Sequence, residues 1–285
     1  MVVIDNFALI IGAMKCGTTS LFSYLAQHPQ ISACSKKEAF FFSDDQNWTK
    51  GFEWYQKLWN WNQNEHKIAL EASVDYTRIP TYPNVAERIY SLKDRANFKF
   101  IYIMRNPIER IESHYTHGKA QGWRSTQKML SEEIDKELLE ASQYARQIEE
   151  YYQRFCGDRI LLLNFEDLKT EPFNLVRRVC DFLEVDPDYQ FQEIGKIYNA
   201  NQERIADERL WRSLRKIKPL RSLKGKLSTQ QKQYIYHIFG RKIKENFNLS
   251  PEQRNFVLNQ LKEDLEKLKI DYGFDIYRWG IEIQS

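Results

Sequence analysis

Phe7-Ala8-Leu9-Ile10-Ile11-Gly12-Ala13-Met14-Lys15-Cys16-Gly17-Thr18-Thr19 is the stretch on which the fold turns. The apolar run Phe7–Ile11, ended by Gly12, predicts a short buried strand. Thr18–Gln27 predicts a helix with Leu21, Phe22 and Leu25 on one face. Between them lies a loop with glycine at both ends. Glycine lets the backbone curl tightly and approach a ligand closely. Successive N–H groups and the helix N-terminus then form a cradle for an anion. The spacing is close to the phosphate loop GxxxxGK[ST], with one change. Thr18 stands where that loop has its lysine, and Lys15 lies inside the loop instead. The cation would therefore reach a bound phosphate from the loop itself.

Further apolar runs extend the pattern outward. Lys67–Glu71, Phe98–Met104 and Ile160–Phe165 predict three more strands. Helical patterns separate them, notably Pro107–Lys119 and Ile134–Phe155. Strands alternating with helices predict an α/β protein. Its expected form is a P-loop-like three-layer fold, a central and mainly parallel sheet flanked by helices. The C-terminal part reads as helical. Ser250-Pro251-Glu252-Gln253 combines a capping serine, a first-turn proline and a glutamine able to complete a capping box. Leu258, Leu261, Leu265 and Leu268 form the apolar face that follows. Residues 1–285 are expected to be one domain.

Composition narrows the function classes. The 285 residues carry 42 Lys+Arg and 39 Asp+Glu, a net charge of only +3. That balance gives no support to a nucleic-acid partner. Phe7–Ile11 is too short to span a membrane, and no signal-peptide pattern surrounds it. Cys16, Cys34, Cys156 and Cys180 have no metal-ligand spacing, so no metal site is expected. Four scattered thiols point to a reducing, cytoplasmic setting. The aromatic content of 14% reads mostly as core packing.

A second segment sharpens the first. The strand Phe98–Met104 runs into Arg105-Asn106-Pro107-Ile108-Glu109-Arg110-Ile111-Glu112-Ser113-His114-Tyr115. A kinase or ATPase would typically place an acid for magnesium at such a strand end. Here the strand ends in arginine, whose planar fork suits a phosphate, and Ser113 offers a hydroxyl eight residues on. The pattern reads as an anion site that needs no metal. A small-molecule kinase and a non-catalytic nucleotide-binding protein stay open as alternatives on these residues alone.

With these segments the sequence resembles the sulfotransferases that use 3′-phosphoadenosine 5′-phosphosulfate (PAPS). The likeness is to the branch that includes heparan sulfate sulfotransferases and bacterial relatives. Three blocks carry it: Gly12–Thr19, Lys37–Phe42 and Arg105–Tyr115. Gly51–Tyr55, Glu71–Tyr76 and Asp275–Trp279 add weaker support. The resemblance implies that the loop binds the donor's 5′-phosphosulfate through Lys15, Cys16, Gly17, Thr18, Thr19 and Ser20. It implies that Lys15 stabilises the leaving phosphate. Arg105 and Ser113 would grip the 3′-phosphate, which ATP lacks, and PAP (adenosine 3′,5′-bisphosphate) would be the product.

By the same resemblance Glu38 is the catalytic base that takes the acceptor's proton, and Phe40, Phe41 and Phe42 predict that its carboxylate is buried. His117 falls where N-sulfotransferase relatives carry a histidine near the acceptor. Arg204, within Tyr198–Arg204, is the candidate lid residue. Two positions depart from the family pattern, Phe40 where some relatives have histidine and Ala72 where many have lysine. Both lie on the acceptor side and count against a heparan-like substrate while leaving donor binding intact. The resemblance still implies a carbohydrate, a glycolipid or a small metabolite as acceptor. Arg209–Lys226 holds eight basic residues and no acid, with Trp211, Leu214 and Ile217 at helical spacing. It reads as a solvated amphipathic helix, or as a rim for an anionic acceptor or peripheral membrane contact.

Overall fold

The computed structural model describes residues 3–121, 134–192, 194, 205–206, 241–242 and 247–281. Arg204 and the basic segment 209–226 lie outside them. Five strands form one sheet: β1 (Asn6–Gly12), β2 (Ile31–Ala33), β3 (Ile68–Ala72), β4 (Asn97–Met104) and β5 (Ile160–Asn164). Their order is β2-β3-β1-β4-β5, and every neighbouring pair is parallel. The expected α/β architecture is the observed one. Residues 7–12 of β1 and all of β3 are buried. Strands covered on both faces read as unbroken apolar runs rather than alternating ones, which is why they were legible.

Helix α1 (Thr18–Leu25) packs on β1, β2 and β3. Short helices α2 (Asp45–Trp48) and α3 (Phe52–Gln56) follow β2, and α4 (Val85–Tyr90) precedes β4. After β4 comes α5 (Pro107–Gln121). Ile134–Phe155, expected as one helix, is two: α6 (Lys136–Glu140) and α7 (Tyr144–Tyr152). The break has a physical cause at both sides. At the end of α6 the Leu138 carbonyl accepts from the Ser142 hydroxyl (2.8 Å) and from the buried Arg110 guanidinium (2.6 Å). At the start of α7, Asp264 accepts from the Ala145 and Arg146 N–H groups at 3.0 and 2.9 Å. A carboxylate there satisfies orphan donors and the helix dipole together. Burial still pushes the Asp264 carboxyl up to about 6.

Phe165, expected as the last residue of a strand, instead opens α8 (Phe165–Thr170), and α9 (Pro172–Leu183) packs against α1 and α8. Asp264 itself lies on α10 (Pro251–Ile270), which packs against α5, α6 and α7. Its capping box forms as expected between Ser250 and Gln253. Its buried face is Val257, Leu261, Leu265 and Leu268, with Leu258 half-buried at the margin. Residues 205–206 and 241–242 pair as two short antiparallel strands. Among the described residues no helix is long and apolar enough to cross a membrane.

His28, just past α1, ties this helix to the chain after α9. It is 1% exposed. The Gln30 N–H donates to Nδ1 (3.0 Å), so Nε2 carries the proton and donates to the Asp186 carbonyl (3.0 Å). Burial holds the imidazole below its ordinary value of 6.5. The unfolded chain therefore takes up this proton first as pH falls. The neutral ring's contribution is complete above the ordinary value and is lost as pH drops through the depressed one. Urea midpoints are expected to fall as pH drops from the ordinary value of 6.5 towards the depressed one, and His28→Gln should flatten the fall. Equal slopes for the two proteins would remove His28 as the cause.

Candidate active site

The crossover from β1 runs to β2, and the one from β3 runs to β4 on the opposite side. Crossovers that diverge from neighbouring strands open a crevice at their carboxyl ends, where α/β sheets bind ligands. The singled-out motifs meet at that edge of the sheet.

Residues 13–17 leave β1 there. The β1–β4 register slips between Ile10 and Gly12, and the Ala13 N–H then donates to the Ile103 carbonyl at 2.7 Å. At Gly12 a Cβ would overlap the Thr77 hydroxyl and the Tyr102 ring. Thr77 is held in place by donating to the Ile11 carbonyl at 2.7 Å. Lys15 (φ 72) and Gly17 (φ 85) both adopt left-handed backbone. Such a conformation in a non-glycine residue costs on the order of 1 kcal/mol or more and clusters at functional sites. A Cβ on Gly17 would lie 2.6 Å from the Phe165 ring. Gly17 is the N-cap of α1 and brings no side chain to its N-terminal donors, while Thr18 and Ser20 are buried in the first turn and Thr19 is half-buried.

The Cys16 side chain turns inward. Its thiol is fully buried, 3.9 Å from the Tyr144 hydroxyl, and its N–H donates to the Ala13 carbonyl at 3.1 Å. Burial pushes the thiol pKa up. Cys16 shapes the loop from inside rather than offering a donor to an anion.

Arg105 stands at the carboxyl end of β4. One terminal nitrogen donates to the Lys15 carbonyl (3.4 Å), and the other pairs with Glu109. Its guanidinium lies 4.8 Å over the Phe165 ring, and Tyr144 donates to its carbonyl at 2.9 Å. The Arg105 Nε is buried without a hydrogen-bond partner. A buried unsatisfied donor calls for an explanation, such as an acceptor that arrives from outside. The loop, Arg105 and Phe165 are thus one group built on β1, β4 and α8. Phe165 was hidden in the sequence, where it read as the tail of an apolar strand.

Ser113 and His117 are half-buried on α5. Their spacing of four puts them on one helix face. The neighbouring face of α5 is anchored by Glu112 and Thr116, which accept from the Leu249 and Phe247 N–H groups at 2.9 and 3.0 Å.

Glu38 lies over the end of β3. Its N–H donates to the Ala72 carbonyl (3.0 Å), and its carboxylate takes the Val74 N–H (3.4 Å) and the Lys37 ammonium (2.8 Å). Its side chain is 27% exposed, so the expected burial is not observed. The cause is local backbone. Glu38 (φ 63) and Phe40 (φ 54) are both left-handed. The turn sends Phe41 and Phe42 into the core, where Phe41 stacks on Tyr55 at 4.3 Å, and leaves Glu38 at the rim. Lys37 pairs with Glu38 directly. Beneath them Glu71, fully buried, accepts hydroxyls from Tyr55 (2.5 Å), Tyr76 (3.0 Å) and Ser73. Burial raises its pKa, and those hydroxyls oppose the rise.

A parallel sheet with a glycine loop after β1, an arginine after β4 and a carboxylate over β3 defines a P-loop-like transferase architecture. The sequence profile described as "Sulfotransferase domain" matches residues 5–266, and the chain belongs to that family. It is 30% identical over 207 residues to mouse heparan sulfate glucosamine 3-O-sulfotransferase 5, covering 68% of this chain and 57% of that protein. It is 31% identical over 196 residues to the Xenopus laevis bifunctional heparan sulfate N-deacetylase/N-sulfotransferase 1, covering 62% of this chain and 22% of that one. The chain thus spans little more than half the length of the first relative and under a quarter of the second. A solved sulfotransferase from Alicyclobacillus acidocaldarius shares the fold, with a TM-score of 0.67 at 24% identity over 98% of this chain and all of that one.

Proposed function

We propose that this chain transfers a sulfo group from PAPS to a hydroxyl or amine of a carbohydrate-type acceptor. The observation that carries the reading is the juxtaposition at the crevice. A glycine cradle with Lys15 ends β1, and a carboxylate loop with Glu38 lies over the adjacent β3. The family match favours sulfo transfer over phosphoryl transfer.

The residues fit the donor on two structural counts: α1 starts at Gly17 with no side-chain cap, and Arg105 keeps a buried N–H without a partner. Gly17, Thr18, Thr19 and Ser20 would hold the 5′-phosphate, and Arg105 with Ser113 the 3′-phosphate. PAPS supplies the sulfo group as its bridging sulfur–oxygen bond breaks. Glu38 takes the proton from the acceptor O–H or N–H as that atom attacks sulfur in line. Lys15 places its charge by the oxygen that receives the bond's electron pair. His117 lines the acceptor side from α5. Similarity to the two heparan sulfate enzymes supports a saccharide acceptor, and four free thiols support a cytoplasmic setting.

The donor assignment has a direct test. PAP at 100 times its Kd should add about 2.7 kcal/mol of stability, read as a melting shift of several degrees. AMP at the same concentration should shift the melt far less. An equal shift with AMP would remove the 3′-phosphate grip by Arg105 and Ser113. Mass-detected sulfate transfer to a saccharide panel tests the acceptor class.

A further inference from the structure

Glu71 is a fully buried carboxylate that no step above uses. It is the penultimate residue of β3, directly under the segment that carries Glu38. Two of the hydroxyls it receives do a second thing. The Ser73 oxygen accepts the Phe40 N–H at 3.2 Å, and the Tyr76 oxygen accepts the Phe42 N–H at a longer 3.4 Å. Each hydroxyl has one proton to give. Because a carboxylate only accepts, Glu71 takes both protons and leaves the two oxygens facing the amides of residues 40 and 42.

We propose that Glu71 is a positioning residue for the transfer reaction, orienting the Ser73 and Tyr76 hydroxyls as the acceptors that hold the Glu38-bearing segment in place. The inference rests on the reading of Glu38 as the base. The segment needs such an anchor because Glu38 and Phe40 occupy backbone conformations that side chains disfavour. Carbonyls of the segment are held from elsewhere, by Asn47 Nδ2 on Ala39 (3.1 Å) and Arg88 on Phe42 (3.0 Å), while further ties to Glu38 come from the stretch that carries Glu71. The Ala72 carbonyl takes the Glu38 N–H, and the Val74 N–H aims the Glu38 carboxylate. Tyr55 supplies the third hydroxyl to Glu71 and stacks on Phe41, so the hub grips the segment from below as well. An amide in place of Glu71 would present a donor where hydroxyl protons now point. At least one hydroxyl proton would have to turn away, which removes the constraint that aims its oxygen at the loop amide and weakens that bond.

Amide hydrogen exchange reads this directly. Glu71→Gln should speed exchange at Phe40 and Phe42, Ser73→Ala at Phe40 alone, and Tyr76→Phe at Phe42 alone, by about tenfold or less for one lost bond. Retained PAP binding shows that each variant is folded, and the two hydroxyl variants stand in if Glu71→Gln does not fold. Turnover is read with PAPS and N-deacetylated heparosan as the probe acceptor. All three variants should lose kcat with the KM for PAPS unchanged, whereas Glu38→Gln should lose turnover with wild-type exchange at both amides. Wild-type exchange in Glu71→Gln, or in both hydroxyl variants, overturns the proposal whether or not the probe acceptor is used. So does unchanged kcat in the folded variants when Glu38→Gln is inactive. Full turnover in Glu38→Gln sinks the base assignment instead, and the positioning role falls with it.

Discussion

Glu38→Gln is expected to lower turnover by about 10²–10⁴-fold while leaving PAP binding within a small factor of wild type. Glutamine keeps the size of the side chain and can still accept the Val74 N–H. It cannot take a proton from the acceptor. The donor group proposed above is built elsewhere, on residues 15–20, Arg105 and Ser113, so its affinity should survive. The substitution also removes the charge that pairs with Lys37 at 2.8 Å. That pair is about a quarter exposed on both sides, so its contribution to stability is small. Steady-state kinetics beside PAP titration makes the separation visible. A variant that keeps full kcat would remove Glu38 from the chemistry. One that loses PAP affinity in step with kcat would show that the segment shapes the donor site as well.

Lys15→Met is expected to cost about 10²–10³-fold in kcat, with a smaller change in PAPS affinity. Methionine keeps the aliphatic stem and removes the charge. The left-handed backbone at φ 72 burdens both residues alike, so the loop's shape should hold. A charge aimed at an oxygen that becomes negative only as a bond breaks stabilises the transition state more than the bound donor. The loss should therefore fall on kcat. An increase in KM with kcat unchanged would recast Lys15 as a binding group only.

Much of this was legible in the sequence, for reasons that differ from element to element. β1, β4 and β5 are continuous apolar runs between helical patterns, and burial on both faces makes them so. β2 is only Ile31–Ala33, too short to carry a pattern, and was missed. The break between α6 and α7 was invisible because its causes, Arg110 and Asp264, come from distant parts of the chain. Lys15 and Glu38 were found through motifs, but their left-handed backbones leave no trace in residue type. That is why Glu38 was expected inside the aromatic cluster and stands at its rim. Cys16 fell within the loop motif, yet nothing in residue type shows that its N–H is taken by the Ala13 carbonyl. Glu71 belonged to a weakly matching block, and its three hydroxyl partners lie at positions 55, 73 and 76, a convergence that only the fold creates.

The carboxylate of Asp264 that starts α7 has a consequence for the order of events at the ribosome. Its partners Ala145 and Arg146 leave the ribosome well over a hundred residues before it. Until α10 follows, the first turn of α7 must borrow water for those N–H groups. The Tyr144 hydroxyl that steadies the Arg105 carbonyl hangs from that same unfinished turn. The Arg105 side of the crevice is therefore expected to gain this support only after all five strands have emerged. A nascent chain halted before residue 264 would carry the whole sheet and still lack a firm seat for Arg105.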